Sequence, residues 1–343
     1  MDLETGSEGL IERWMAACEG SDIKSLLLML EGAREPSGTM LGALTSEETT
    51  AGFRAACSAG DMRLVRGLLE LEGRHLVDVH AGDTDGPELG FRLACANGHV
   101  DVVRGLISLT GDRAVDVHAR DWAGPEAGFR MACWNGHASV VEALLGLEGA
   151  RAIDVHAGDM QGPEAGLRSA CENGHLEVLR LLLSLTGKRE VDVHINDEDP
   201  FRGACFYGHA CIVRELLSLN GGRTVDVHAR GDFYPEGGFR EACRTGHVNV
   251  VRLLLSLTGV RAVDVHAQDR AGPDAPFRLA VKGGHESVVR ELLGLTGDRA
   301  IPAQARHAST ELFSTTGRDA VWHGTSTRHG RRMIVFLRAA RSL

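Results

Sequence analysis

Apolar and polar positions along this chain follow two patterns that alternate many times over. In HVDVVRGLISLTG, residues 99–111, Val102, Val103, Leu106 and Ile107 share one helical stripe ahead of a Thr-Gly stop. That spacing predicts an amphipathic helix with one buried face. Just upstream, a shorter apolar run lies between Gly86-Pro87-Glu88 and Asn97-Gly98. Pro lacks the N–H that a first helical turn leaves unused, Glu opposes the positive dipole end, and Gly suits a left-handed cap, so this run predicts a short first helix. VDVHA, residues 77–81, favours extended backbone and predicts an arm. Arm, helix, turn and helix make one unit.

The unit repeats. Phe-Arg stands at 53, 91, 129, 201, 239 and 277, with Leu167-Arg168 filling the gap, in steps of 38, 38, 38, 34, 38 and 38. The anchors share Phe-Arg-x-Ala-Cys-x-Asn-Gly-His, then Val-Val-x-x-Leu-Leu-x-Leu-x-Gly, then Arg-x-Val-Asp-Val-His-Ala, with local variation. Self-similarity at such a period marks a repeat array. These motifs resemble the ankyrin repeat over about residues 50–302. Two departures stand out: Gly-Phe-Arg replaces the family's Thr-Pro-Leu-His, and the period exceeds the usual value of about 33. The extra residues fall in loops, about four at LTGDRA and one before Phe-Arg, where length is tolerated. The resemblance implies an all-α ankyrin-repeat solenoid of stacked helix-turn-helix units with projecting fingers. Residues 1–49 are expected to form a degenerate cap repeat and first finger, 50–302 seven repeats, and 303–343 a basic tail or capping helix.

Charge narrows the partners. The net charge of -10 argues against nucleic acid, which is bound mainly by basic residues that neutralise phosphate. The acidic start MDLETGSEGL lacks the order of a secretory signal, and no apolar run approaches a bilayer span. A cytoplasmic protein is expected. The tail holds seven Arg against Glu311 and Asp319, a local charge of +5. Its RRMIVFLRAARSL segment is expected to cap the last repeat, with contact to an anionic membrane surface as the competing reading.

Cys133, His137 and Asp121 have the composition of a nucleophile, a base and an orienting acid. Because the stretch is one copy among seven, they read as scaffold. Cys18, Cys57, Cys95, Cys133, Cys171, Cys205 and Cys243 form one column. Stacked helices lie roughly 8–10 Å apart, farther than a disulfide spans, so these are expected to be buried free thiols. Cys211, out of register, is expected to be buried too, with a redox role as the alternative. Cys-x3-His pairs suggest zinc, but they are spread along a stack instead of converging on one point. No metal, cofactor or catalytic residue is expected. A second histidine column (80, 118, 156, 194, 228, 266) is read as tying one finger to the next. Arginines at 54, 92, 130, 168, 202, 240 and 278, and those three residues before the arm aspartates, are read as an ion-pair ladder with Asp78 and its equivalents, against a phosphodiester grip as the rival.

Positions that differ among copies are free to serve a partner. They are the finger tips, with Trp122, Met160, Asp197, Glu198, Asp199, Phe233 and Tyr234, and the pair after Ala-Cys, with Trp134, Asn135, Glu172, Phe206, Tyr207 and Arg244. The resemblance implies that they line a concave groove, and large rings are frequent hot spots; gap-filling between enlarged loops is the competing reading. The step of 34 clips one finger, and a notch is expected there, with Asp197, Glu198 and Asp199 as its rim, Phe206-Tyr207 as its floor, and Trp134 and Phe233-Tyr234 beside it. That notch suits a basic segment of a protein partner. A non-catalytic scaffold or adaptor follows; the alternative is a permanently bound subunit of a larger complex, anchored by the tail.

Overall fold

The computed structural model describes residues 4–20, 22–33, 44–231 and 234–306. Among these the regular structure is helical, in pairs: α1 (Glu4–Glu19) with α2 (Ile23–Ala33), α3 (Ser46–Ala59) with α4 (Met62–Leu69), α5 (Leu89–Ala96) with α6 (Val100–Ile107), and α7 (Ala127–Asn135) with α8 (Ala138–Leu145). Then come α9 (Ala165–Glu172) with α10 (Leu176–Leu183), α11 (Ile195–Tyr207) with α12 (Ala210–Leu217), α13 (Gly237–Thr245) with α14 (Val248–Leu255), and α15 (Ala275–Lys282) with α16 (Glu286–Leu293). No helix among the described residues is long and apolar enough to cross a membrane. Two compact units result, Met1–Ala170 with Glu177–Val191, and Cys171–Leu176 with Asp192–Leu343.

Within each unit, successive first helices pack on one another through a phenylalanine and a glycine. A Cβ at Gly128 would meet Phe91 Cε1 at 2.9 Å and Cys95 Sγ at 3.1 Å, and one at Gly238 would meet Phe201 Cε1 at 2.9 Å. Phe53, Phe91, Phe129, Phe201, Phe239 and Phe277 are all buried, each burial worth roughly 1.5–3 kcal/mol. Ahead of α3 the same slot is filled by Trp14, which packs on Gly52 and donates from Nε1 to Glu48 O at 2.6 Å. Val102, Val103 and Leu106 of α6, and their counterparts in the other second helices from α4 onward, are fully buried, as the helical stripe requires.

From α4 onward the segment after each second helix is a short 3-10 turn, such as Gly111–Arg113 or Gly259–Arg261, instead of a featureless loop. Its arginine reaches back to the preceding copy: Arg113 Nη1 donates to Leu69 O at 2.7 Å and Arg151 Nη1 to Ile107 O at 2.7 Å. A cation there meets the open carbonyls and negative dipole end of a helix C-terminus. The expected ladder with the arm aspartates is therefore corrected. Asp78 and Asp116 instead accept the amides of His80 and His118, two residues on, as local turns. The arms end in turns, with Val77 and Val79 buried, and the two-residue hairpins are confined to the fingers, as at Asp83↔Gly86.

The thiol column is buried at Cys57, Cys95, Cys133, Cys171, Cys205 and Cys243 and half-buried at Cys18, all unbridged. Burial pushes the Cys18 thiol up to about 11 and the deeper thiols higher still. Cys211 contradicts expectation. It is exposed, because Ile212, Val213, Leu216 and Leu217 claim the buried face of α12.

Candidate partner-binding site

Each full finger is a short hairpin with its base and neck both fastened. In residues 119–125, Asp121 N donates to Gly124 O at 3.0 Å, leaving Trp122 and Ala123 at the tip. The Asp121 carboxylate takes the amides of Ala123 and Gly124 at 2.9 and 3.0 Å and is ion-paired with Arg130. Arg130 also donates from Nε to Pro125 O at 2.7 Å and from Nη2 to Gly124 O at 3.0 Å. Whereas Arg54 donates from Nη1 to Gly82 O of the next finger at 3.4 Å, from Arg92 onward the first arginine column therefore locks its own finger. Arg92 with Asp83, Arg168 with Asp159 and Arg278 with Asp269 repeat this. In the finger bearing Met160, Arg168 adds a bond from Nη1 to Gln161 Oε1 at 2.8 Å.

The base is closed by the arm histidine and a buried carboxylate. His118 Nδ1 lies 2.7 Å from Glu126 Oε1, and His118 Nε2 donates to Ala150 O of the next copy at 2.9 Å. Glu126 Oε1 also accepts Asp154 N at 3.1 Å, so one carboxylate joins finger, helix start and next arm. His80 with Glu88, His156 with Glu164, His194 with Glu198, His228 with Glu236 and His266 with Asp274 match it. In the first copy the acceptor is Thr50, whose Oγ1 takes Asp78 N at 3.0 Å. Glu88, Glu126, Glu164 and Glu236 sit at left-handed backbone, φ 55–57, and Glu88, Glu126 and Glu236 make no side-chain cap bond to their helix. This corrects the reading of Gly-Pro-Glu as a dipole-matched first turn. Pro lies before the cap residue, and Glu turns inward to the histidine. Sequence held the signal, since an acid stands three residues before every Phe-Arg anchor from 91 onward, including the clipped copy.

The other histidine column works on the scaffold. His99, His137, His209, His247 and His285 each place Nε2 2.8 Å from a carbonyl of the preceding copy, at Ser58, Ala96, Glu172, Phe206 and Arg244. The rings pack against the left-handed cap glycines, Gly98 against His137 and Gly208 against His247, where a side chain would collide. Burial lowers the His247 ring below the ordinary imidazole value. Cys133, Asp121 and His137 are thus occupied separately: a buried thiol, an arginine-paired acid and a carbonyl-bonded ring.

The positions that differ among copies divide sharply. Trp122 is 70% exposed, Met160 76%, Trp134 51% and Tyr207 52%. Asn135, Asp197 and Arg244 are exposed, while Glu172, Asp199, Phe206 and Tyr234 are half-buried; Phe233 lies outside the described residues. Glu198 is the exception and a correction to the acidic rim. It is 4% exposed, paired with His194 at 2.6 Å, and accepts Asp226 N at 3.0 Å. Its neighbours are engaged as well: Asp197 Oδ2 accepts Arg230 N at 2.9 Å, and Asp199 pairs with Arg202 at 3.2 Å. The Phe206 ring is covered by the chain's own Arg244 guanidinium at 5.0 Å and meets Tyr207 edge-on at 4.7 Å. Of the residues expected around the notch, Trp134 belongs to the first unit and the other described ones to the second.

Residues 129–230 match the family model for ankyrin repeats, in three copies. This segment is a run of ankyrin repeats. The Phe-Gly packing, the carboxylate clasp and the cap glycines of these ankyrin repeats recur in the copies on either side. The crystal structure of the ankyrin repeat domain of Bcl-3, described as a unique member of the IkappaB protein family, is similar at 20% identity and a TM-score of 0.46, over 71% of this chain and 98% of that one. No curated protein sequence matches. Ankyrin repeats generally mediate protein–protein interaction.

Proposed function

We propose that this ankyrin-repeat protein is a non-catalytic scaffold or adaptor that holds a protein partner on its finger tips and first-helix ends. The observation that carries the reading is Trp122, 70% exposed on a hairpin whose neck is locked by Arg130 and whose base is clasped by Glu126. A rigid, exposed ring loses little freedom on binding, which is how preorganised anchors gain affinity. Met160 stands at the same place on the next finger and Trp134 at the end of α7. The partner contributes apolar side chains to these anchors. A basic segment has less support, because Arg244 already covers the Phe206 ring and Glu198 is inside. Quantitative capture on the full chain tests this. Trp122→Ala with Met160→Ala is expected to lose a captured partner at least about tenfold with an unchanged melting curve, while Arg104→Ala on the second helix α6 leaves it bound. A partner retained by the double variant places the binding surface elsewhere.

A further inference from the structure

Both nitrogens of every arm histidine face acceptors. At His80, Nε2 meets Asp112 O at 2.8 Å and Nδ1 meets Glu88 Oε1 at 2.6 Å; at His228 the partners are Val260 O at 2.8 Å and Glu236 Oε1 at 2.6 Å. A carbonyl oxygen cannot donate, and a neutral imidazole owns one N–H. A neutral ring beside an ionised carboxylate would therefore set a lone pair against a lone pair at hydrogen-bond distance. One proton must lie between Nδ1 and the carboxylate. Glu88 and Glu236 Oε1 also accept the amides of Asp116 and Asp264, at 3.0 and 3.1 Å, so the imidazolium–carboxylate form supplies the acceptor lone pairs that both bonds need.

We propose that these clasps are a proton-operated device, in which loss of the Nδ1 proton opens the finger base and releases the amide of the next copy. The proton passes to hydroxide, giving water and a neutral ring, through the exposed edge of the histidine, 43% exposed at His80 and 37% at His118. What stays behind is a carboxylate 3% exposed at Glu126, facing a lone pair, which a short swing into water relieves. The charges acting on the His118 ring are Glu126 from the helix start and Asp116 two residues back on the arm, both acidic; the neighbouring copy contributes the Ala150 carbonyl and, on Glu126, the Asp154 amide. The pattern is the same for His80 with Glu88 and Asp78, and for His266 with Asp274 and Asp264.

The arm rings are held above the ordinary imidazole value. Bonding to the carboxylate leads at His80, His156, His194 and His266. At His118 and His228 burial is the largest influence and opposes the charge, and the carboxylate bond, the carbonyl bond and the two neighbouring acids together overcome it. A raised folded value means that the clasp's contribution is complete below the unfolded-chain value, about 6.5, and is lost as pH rises through the folded value. The device thus acts as pH rises above the unfolded-chain value.

Nitrogen-15 imidazole spectra of the full chain test this with no partner present, so the outcome is separate from that of the proposed binding. The arm rings are expected to carry protons on both nitrogens at pH 6.5 and to titrate above the rings of the urea-unfolded chain. As they titrate, the amides of Ala127 and Asp154, which bond Ala119 O and Glu126 Oε1, are expected to lose protection at least about tenfold after correction for intrinsic exchange. Glu126→Gln is expected to lower the His118 midpoint while leaving His228 in place. Arm rings that titrate at or below the unfolded-chain value, or amides that stay protected throughout, would overturn the proposal, and both readouts hold for the native chain even if the variant fails to fold.

Discussion

The finger at 119–125 and the turn at 195–197 solve the same closure with different lengths of chain. Each begins at an arm histidine and ends at a buried glutamate, eight residues apart at His118 and Glu126 and four at His194 and Glu198, with clasp distances of 2.7 and 2.6 Å. The long version is a two-residue hairpin that carries Trp122 outward. The short one is a left-handed turn, with Asn196, Asp197 and Glu198 at φ 51, 61 and 64. Glu126 is left-handed too, but the short turn adds Asn196 and Asp197; left-handed backbone costs an L-residue roughly 1–2 kcal/mol, so the clasp is retained against strain at two residues that the longer loop avoids. The comparison teaches that the glutamate's position is invariant and the finger is the part free to differ.

Removing the carboxylate is the strongest way to break that comparison. Glu126→Ala and Glu198→Ala are each expected to cost about 2 kcal/mol, since the next arm's amide and the ring lose their acceptor together. Urea midpoints followed by circular dichroism check this, and a much smaller loss at 198 would show that the short turn is held by something besides its clasp. The packing beneath the two regions comes next. Gly128→Ala and Gly238→Ala each place a Cβ 2.9 Å from a phenylalanine edge and are expected to destabilise by about 1–3 kcal/mol, equally in both units.

The backbone separates the two regions. Asn196→Val is expected to cost about 1–2 kcal/mol, because a β-branched residue tolerates left-handed backbone badly, whereas Asn196→Gly is expected to be neutral or slightly stabilising. Trp122→Val at the hairpin tip should change stability by less than about 0.5 kcal/mol, as an exposed position outside the framework. Equal effects of valine at the two sites would deny the strain. The smallest effect is chemical: with native protein, a bulky thiol reagent should modify Cys211 rapidly and leave the six buried column thiols until unfolding, and Cys211→Ser should remove the fast phase.

Much of this was legible in the sequence. Hydrophobic spacing and the Phe-Arg register carried the paired helices, the cap glycines and the buried thiols, because helix burial and left-handed caps are local consequences of residue type. The exposure of Trp122, Trp134, Met160 and Tyr207 at positions that differ among copies was readable for the same reason. Partner choice among the charged columns was not. Arg92 could have met Asp78 or Asp83, and only the hairpin, which sets Asp83 Oδ1 2.7 Å from its guanidinium, decides between them. Glu198 looked like a surface acid in an acidic run, yet closing the short turn carries it inside, beside His194 and the Asp226 amide. Periodicity along the chain determined which positions are buried; which polar groups meet inside was decided by how each finger closes and by the stacking of one copy on the next, because hydrogen bonds and ion pairs depend on distances of a few ångströms that residue spacing alone does not fix.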